Sequence, residues 1–380
     1  MKKIGLTIAC ALFATGAVNA APDTAPPTNA VVQAPVLTAA ERGQGEFDLG
    51  LGLMRDKKYS GAAEAFGHAT ADKPDFAEAY NNWGICLVHL GEQSPDPQQQ
   101  LRQFQAAAEK FGKAAQLKPG EKITYMLWSE TLELIGDLSA DRHVRLACYQ
   151  GAVDKCRKAV ALAPQDWEPY NKWAVVLTTK LADFAANDTA RYDLYKEAAT
   201  LFAKAADRAR FSDELGPAYA NWGSALVRAA RVSTDVEDKK ALLREALDQF
   251  DRSANAIPKA AGTYAMWGSA YIELSKLSLM RSDLREGIER LNTSLSLDPN
   301  NPATLYNLAC AYALMDNGVL AVQTLKQCFD LDANKTYRIA ALQDPDLASL
   351  HGDPNFRELF GDTAAPRAPV GNPPLEDSTQ

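Results

Sequence analysis

Histidine is scarce in this sequence, with four copies in 380 residues. None of His68, His89, His143 and His351 forms a His-Glu-x-x-His or His-x-x-His zinc pattern. The six cysteines contain no Cys-x-x-Cys pair, which removes zinc ribbons and thioredoxin-type redox centres. A basic surplus is missing too: 40 Lys and Arg stand against 48 Asp and Glu, for a net charge of −8. Binding to nucleic-acid phosphates or to anionic lipid needs the opposite balance. There is no Gly-x-x-x-x-Gly-Lys phosphate loop and no Gly-x-Ser-x-Gly nucleophile elbow; Gly223-Ser224 and Gly268-Ser269 fall inside helical patterns. Gly43-x-Gly45 and Gly50-x-Gly52 lack the strand and third glycine of a dinucleotide fingerprint. Asp298 to Pro302 lacks the alternating ligands of a calcium loop. Glu130 and Glu133 share a helix face with nothing convergent beside them, so a solvated face is expected rather than acid–base chemistry. No catalytic residue, cofactor or metal is expected, and the protein reads as not an enzyme.

Long apolar runs are absent after the first twenty residues. Those twenty read as a signal peptide: Lys2 and Lys3, an apolar run from Ile4 to Ala17, then Val18-Asn19-Ala20 before a cut ahead of Ala21. The run is shorter than the ~20 residues of a membrane span. Cys10 comes too early in it, and lacks the leucine three places before it, for a lipoprotein site. Residues 21–41 form a leader rich in Pro and Ala, and residues 362–380 a similar tail; both are expected to be disordered. The folded part is therefore expected in the periplasm, or secreted or attached to the outer membrane, with no span after cleavage.

Cleavage leaves five cysteines, Cys86, Cys148, Cys156, Cys310 and Cys328, which cannot all pair. Cys148 and Cys156 are about 12 Å apart along one expected helix, beyond disulfide reach. Cys310 and Cys328 lie on two helices of one unit and could meet; the alternative is that they are small core residues.

What the sequence has in quantity is repetition. A tyrosine, a tryptophan three residues on and then a small residue occur as Tyr80/Trp83/Gly84, Tyr125/Trp128/Ser129, Tyr170/Trp173/Ala174, Tyr219/Trp222/Gly223 and Tyr264/Trp267/Gly268. A softened copy is Leu305/Leu308/Ala309, and a weak first one ends at Gly50. The small residues are spaced by 34, 45, 45, 49, 45 and 41, and five of the six tryptophans occupy this slot. A second amphipathic segment follows each copy, as in Ala107/Phe111/Ala114/Pro119, Ala152/Cys156/Ala159/Pro164, Ala246/Phe250/Ser253/Pro258 and Gly287/Leu291/Ser294/Pro299. The fourth copy, Ala198/Phe202/Ala205, lacks the proline; Pro217 comes later, after a longer turn.

Tyr and Trp three apart share a helix face, so each first helix offers an aromatic stripe to its neighbour. The small residue lets the second helix approach, and proline punctuates the pair. One pair cannot bury its apolar face alone, and stacked pairs can. The aromatic stripe is thus expected in the core. Start signals at Pro95-Asp96-Pro97, Asp141, Asn187-Asp188-Thr189, Ser233-Thr234 and Ser282-Asp283 predict second helices of about 18 to 22 residues. Thr234/Glu237 and Asp283/Glu286 have capping-box spacing.

The pattern resembles the tetratricopeptide-repeat (TPR) superfamily, and the chain is similar to exported bacterial proteins of that type. The resemblance covers residues 42–335, seven units, with residues 336–361 as a helical cap over the last repeat. It departs in placing Trp where leucine is usual and in carrying extra residues between the two helices of most units. The resemblance implies an all-α solenoid whose first helices line a concave groove for partner segments. The candidate groove residues are Asn82, Lys172, Asn221 and Asn307 just before the Trp slot, with His89, Arg228 and Glu273 further along the same face. It implies a protein-interaction scaffold or assembly factor of the cell envelope, with other proteins as partners. Two further readings are a pocket between helices serving catalysis or small-ligand binding, and a homo-oligomer assembled through the solenoid ends.

Overall fold

The computed structural model describes residues 37–360. The expected signal peptide, most of the leader and the tail at 362–380 lie outside them. The described residues contain no strand. Seven helix pairs follow one another: α1 (Ala39–Arg55) with α2 (Tyr59–Asp72), α3 (Ala77–Gln93) with α4 (Pro97–Leu117), α5 (Lys122–Leu138) with α6 (Arg142–Leu162), α7 (Trp167–Thr179) with α8 (Asp188–Ala206), α9 (Ser212–Val232) with α10 (Val236–Ala256), α11 (Ala261–Ser278) with α12 (Arg281–Leu297), and α13 (Pro302–Leu314) with α14 (Gly318–Leu331). A short helix α15 (Thr336–Ala341), a 3-10 turn (Pro345–Leu350) and α16 (Pro354–Glu358) follow. None of these helices is long and apolar enough to cross a membrane.

Local chemistry explains where the long second helices begin. Asp96, Asp141, Asn187 and Asp235 cap α4, α6, α8 and α10, each side chain accepting a hydrogen bond from a first-turn amide. These helices run 21, 21, 19 and 21 residues, within the expected lengths, while α12 has 17. Neither expected capping box forms. Asp235, one residue past Thr234, takes the cap of α10. At α12 the chain turns through Leu279, whose positive φ of 59° brings the helix in at Arg281. Asp283 then lies in the first turn and accepts from Ser278 Oγ. Pro217 follows the longer turn and sits on the exposed face of α9, beyond a start already made by Glu214. The Glu214 carboxylate accepts the amides of Arg210 and Phe211 at 2.7 and 3.3 Å.

Every second helix buries the same triplet against its own first helix. The copies are Ala62/Phe66/Ala69, Ala107/Phe111/Ala114, Ala152/Cys156/Ala159, Ala198/Phe202/Ala205, Ala246/Phe250/Ser253, Gly287/Leu291/Ser294 and Ala321/Leu325/Cys328. The bulky middle residue fills the space left by the small residue of the first helix. A β-carbon placed on Gly50, Gly84 or Gly223 would lie 2.6, 2.7 or 2.8 Å from the ring of Phe66, Phe111 or Phe250. The third unit keeps the fit by exchange: Ser129 is larger and faces the smaller Cys156, 3.2 Å away. Each fully buried Phe or Leu of this set contributes roughly 1.5–3 kcal/mol.

The last position of the triplet shows why Cys310 and Cys328 do not pair. In α10 and α12 that slot holds serines that donate to main-chain carbonyls of the first helix, Ser253 to Gly216 at 2.8 Å and Ser294 to Ala261 at 2.9 Å. Cys328 occupies the same slot and donates to Pro302 at 3.2 Å. Cys310 faces Asp344 in the cap instead, and both thiols are free.

Four of the five repeated indoles differ from the expected core burial. Trp267 is buried, whereas Trp83, Trp128, Trp173 and Trp222 are half-buried. They lie at the seam between consecutive second helices. A β-carbon on Gly67 of α2 would be 3.5 Å from Trp83, and one on Gly112 of α4 would be 3.4 Å from Trp128. Cations cover the outer ring faces: Lys110 over Trp83 and Lys155 over Trp128 at 4.0 Å, Arg290 over Trp267 at 4.3 Å and Arg157 over Trp173 at 4.9 Å. The indoles seal the stack from its rim.

First helices also touch across units, α1 with α3, α3 with α5, α7 with α9, α9 with α11 and α11 with α13. This close approach puts the first helices on the inner side of the stack. Between α5 and α7 lysines join the two units. Lys122 meets Asp166 and Glu168, Lys172 meets Glu133 at 2.9 Å and Glu130 at 3.5 Å, and Lys180 meets Asp137 at 2.6 Å.

Candidate functional site

Three consecutive first helices enclose a cavity of about 460 Å³ on the inner face. Helix α9 contributes Ser224, Val227, Arg228 and Arg231, α11 contributes Ala265, Met266 and Ser269, and the start of α13 contributes Asn301, Thr304 and Asn307. The floor is ordered by hydrogen bonds. Asn307 Nδ2 donates to Ser269 Oγ at 2.8 Å, and Ser269 donates to the Ala265 carbonyl at 2.9 Å. Asn301 caps α13 through the Thr304 amide at 3.1 Å. At the rim Arg231 pairs with Glu273 at 3.3 Å. Arg228 is exposed and makes no ion pair or side-chain hydrogen bond among the described residues. The result is a polar, ordered floor, a flexible Met266 thioether and one unshared positive charge.

The candidates named from sequence do not all converge. Arg228 and Asn307 share this cavity, and Glu273 reaches its rim through Arg231. Asn221 bonds to Asn171 Oδ1 at 3.2 Å, and Asn82 donates to its own helix at the Glu78 carbonyl, 3.0 Å away. His89 stacks on Tyr59 with ring centres 4.3 Å apart and lies 3.2 Å from Glu92. Lys172 is taken up by Glu130 and Glu133. Sequence reasoning missed Arg231, Asn301 and Thr304, which share no register with the residue before the slot; only packing brings them together.

Two clusters of perturbed titratable groups lie away from this cavity. In the first, burial disfavours the Lys172 charge, and Glu133 and Glu130 more than offset it, so its pKa is raised. Burial raises Glu130, and it pushes the neighbouring Cys156 thiol up to about 12. The pair Glu130 and Glu133, expected on a solvated face, is therefore drawn into an inter-repeat contact, with Glu133 buried. The second cluster joins α11 and α13 to the cap. Tyr306 donates to Asp344 at 2.7 Å, and Lys276 meets Asp346 at 2.6 Å. Donor atoms of Cys310, Asp344 and Asp346 fall within 4.8 Å of one another, a spacing that a metal ion could bridge. The Lys276 ammonium already supplies the positive charge there, so the residues read as a lock between cap and stack.

No family model matches the chain. Among solved structures it is similar to YrrB, described as a TPR protein with an unusual peptide-binding site, at 19% identity over 62% of this chain and 98% of that one, with a TM-score of 0.41. It is similar to the C-terminal part of a TPR repeat-containing protein from Cytophaga hutchinsonii at 14% identity, 77% and 98% coverage and a TM-score of 0.47. A third likeness, to pilF of Pseudomonas aeruginosa, has 12% identity, 70% and 97% coverage and a TM-score of 0.46. Seven stacked helix pairs, most of them closed by a small residue of the first helix against a bulky residue of the second, make the fold a TPR-type helical-repeat solenoid.

Proposed function

We propose that this protein is an interaction scaffold of the bacterial cell envelope that holds an extended, acidic partner segment along α9, α11 and α13. One observation carries the reading: a cavity lined by three successive units in which Arg228 is the single cation left unshared. An extended chain crossing those helices would meet asparagine and serine groups suited to main-chain hydrogen bonding, and its carboxylates would meet Arg228. Many modest contacts with a few anchors suit a partner that is gripped and released. The envelope assignment rests on the signal-like segment ahead of Ala21.

A photo-crosslinking residue at Met266, in protein expressed with its own N-terminus, tests the binding face. Partner adducts should form from Met266, should not form from Lys113 on a second helix, and should be lost with Arg228→Glu. Equal adducts from both positions would remove the cavity as the binding face. Fractionation of the same cells, with mass analysis of the processed N-terminus, tests the location.

A further inference from the structure

The turn between α8 and α9 breaks the repeat pattern. It lacks the punctuating proline and carries Arg208, Arg210 and Phe211. Phe211 is 66% exposed and is the only aromatic residue among the exposed large hydrophobic side chains of the described residues. Beside this turn lies Trp167, the only tryptophan outside the repeated slot. Together with Pro164, Arg208, Arg210 and Glu214 it lines a cavity of about 420 Å³ at the edge of the stack, away from the inner face.

The charges around this cavity are already assigned, with one exception. Asp166 meets Lys122 and caps α7. Glu214 accepts the amides of Arg210 and Phe211. Arg208 donates to the Pro164 and Lys204 carbonyls, each at 2.8 Å, and covers the Tyr170 ring at 4.6 Å. The Arg210 guanidinium is exposed and makes no ion pair or hydrogen bond among the described residues. An indole, a proline ring and a free guanidinium therefore border one recess. The apolar part of the lining, Ala163, Pro164 and Trp167, beside a single unshared cation complements a segment whose rigid rings alternate with carboxylates. Proline supplies such rings at low conformational cost, because its extended helix is preformed.

We infer that this edge cavity is a second docking site, taking a proline-bearing acidic segment of a partner protein, with proline rings against Trp167 and a carboxylate on Arg210. It is independent of the inner-face site, so each can fail without the other.

Fluorescence polarisation of full-length protein with a labelled peptide of Pro-Glu repeats tests it. The Pro-Glu peptide should bind, and a Pro-Lys peptide should not. Arg210→Glu should weaken binding roughly tenfold or more, the loss of a charge-assisted pair plus a like-charge contact. Trp167→Phe, which keeps an aromatic ring for folding, should weaken it less. Measured in the Arg228→Glu background, which removes the acidic-segment anchor of the inner face, the edge site should still bind the peptide. No binding, binding indifferent to Arg210→Glu, or binding lost with Arg228→Glu would overturn the site. The chain's own Pro373-Pro374-Leu375-Glu376-Asp377 has similar chemistry. If binding appears only when Glu376 and Asp377 are changed to Gln and Asn, the occupant is this segment and the partner assignment falls.

Discussion

Gly268 and Gly287 face each other across the α11–α12 contact so closely that a β-carbon on the first would lie 2.8 Å from the carbonyl oxygen of the second. Leu291 would be nearer still, at 2.6 Å. Backbone cannot yield as a side-chain tip can. Gly268→Ala should therefore lower stability by about 1–2 kcal/mol, the overpacking cost exceeding the gain in helix propensity. Gly262, in the first turn of the same helix, has nothing within 4 Å of its virtual β-carbon. Gly262→Ala should raise stability by roughly 0.5–1 kcal/mol. Urea midpoints of the two variants, moving in opposite directions, check the contact.

Removing one member of the Lys172 cluster leaves two carboxylates facing each other in a protected site. Lys172→Met should destabilise the stack by roughly 3 kcal/mol. Adding Glu130→Gln and Glu133→Gln should restore most of the loss, because neutral amides need no counter-charge. A triple variant no more stable than the single one would mean that the lysine acts through packing of its stem.

The two ends of the pH range should report different units. Burial raises Glu78, but the Lys118 ammonium and a backbone amide outweigh it, leaving it below its ordinary 4.5. A depressed acid stabilises the fold above 4.5, and that contribution is lost as pH falls through the native value. Burial disfavours the Lys276 charge, and Glu273 and Asp346 outweigh it, raising the lysine above 10.5. A raised base stabilises the fold below 10.5, and that contribution is lost as pH rises through the native value. Asp346 does not add to the acid limb, since burial holds it above its ordinary value in spite of Lys276. Thermal melts across pH should show the acid loss reduced in Glu78→Gln and the alkaline loss reduced in Lys276→Met.

Cysteine reactivity should follow burial. Cys86, Cys156, Cys310 and Cys328 are buried, with Cys156 and Cys328 pushed up to about 12 by desolvation. Cys148 is half-buried, and its pKa is raised by burial as well. Thiolate is the reacting species, so a thiol reagent should modify Cys148 of these five first in native protein and all five after denaturation. Mass analysis without reductant should find no Cys310–Cys328 bridge.

The helix pairs, their lengths and the fit of small against bulky residues were legible because each depends on spacing within about one unit, as at Gly84 and Phe111. The caps of α4, α6, α8 and α10 were legible to within a residue, as at Asp235, because aspartate or asparagine at a helix start binds nearby amides, whereas α12 starts earlier than its signal at Ser282-Asp283. The site was less so. Asn221, offered as a groove residue, bonds to Asn171, 50 residues away in sequence, and Lys172 finds its carboxylates on another helix. Nothing along the chain distinguishes those side chains from Arg228, which stays unshared.

The sequence alone determined that this protein is a stack of helix pairs, since a recurring Tyr-Trp-small motif repeats one local solution to burying an apolar face. Only the tertiary structure decided how deep each indole sits, which thiol meets which oxygen and which cations remain free. Those outcomes depend on how neighbouring units pack: Lys172 and Lys180 reach carboxylates of the preceding unit, whereas Arg228 does not, although the motif in each unit is nearly the same.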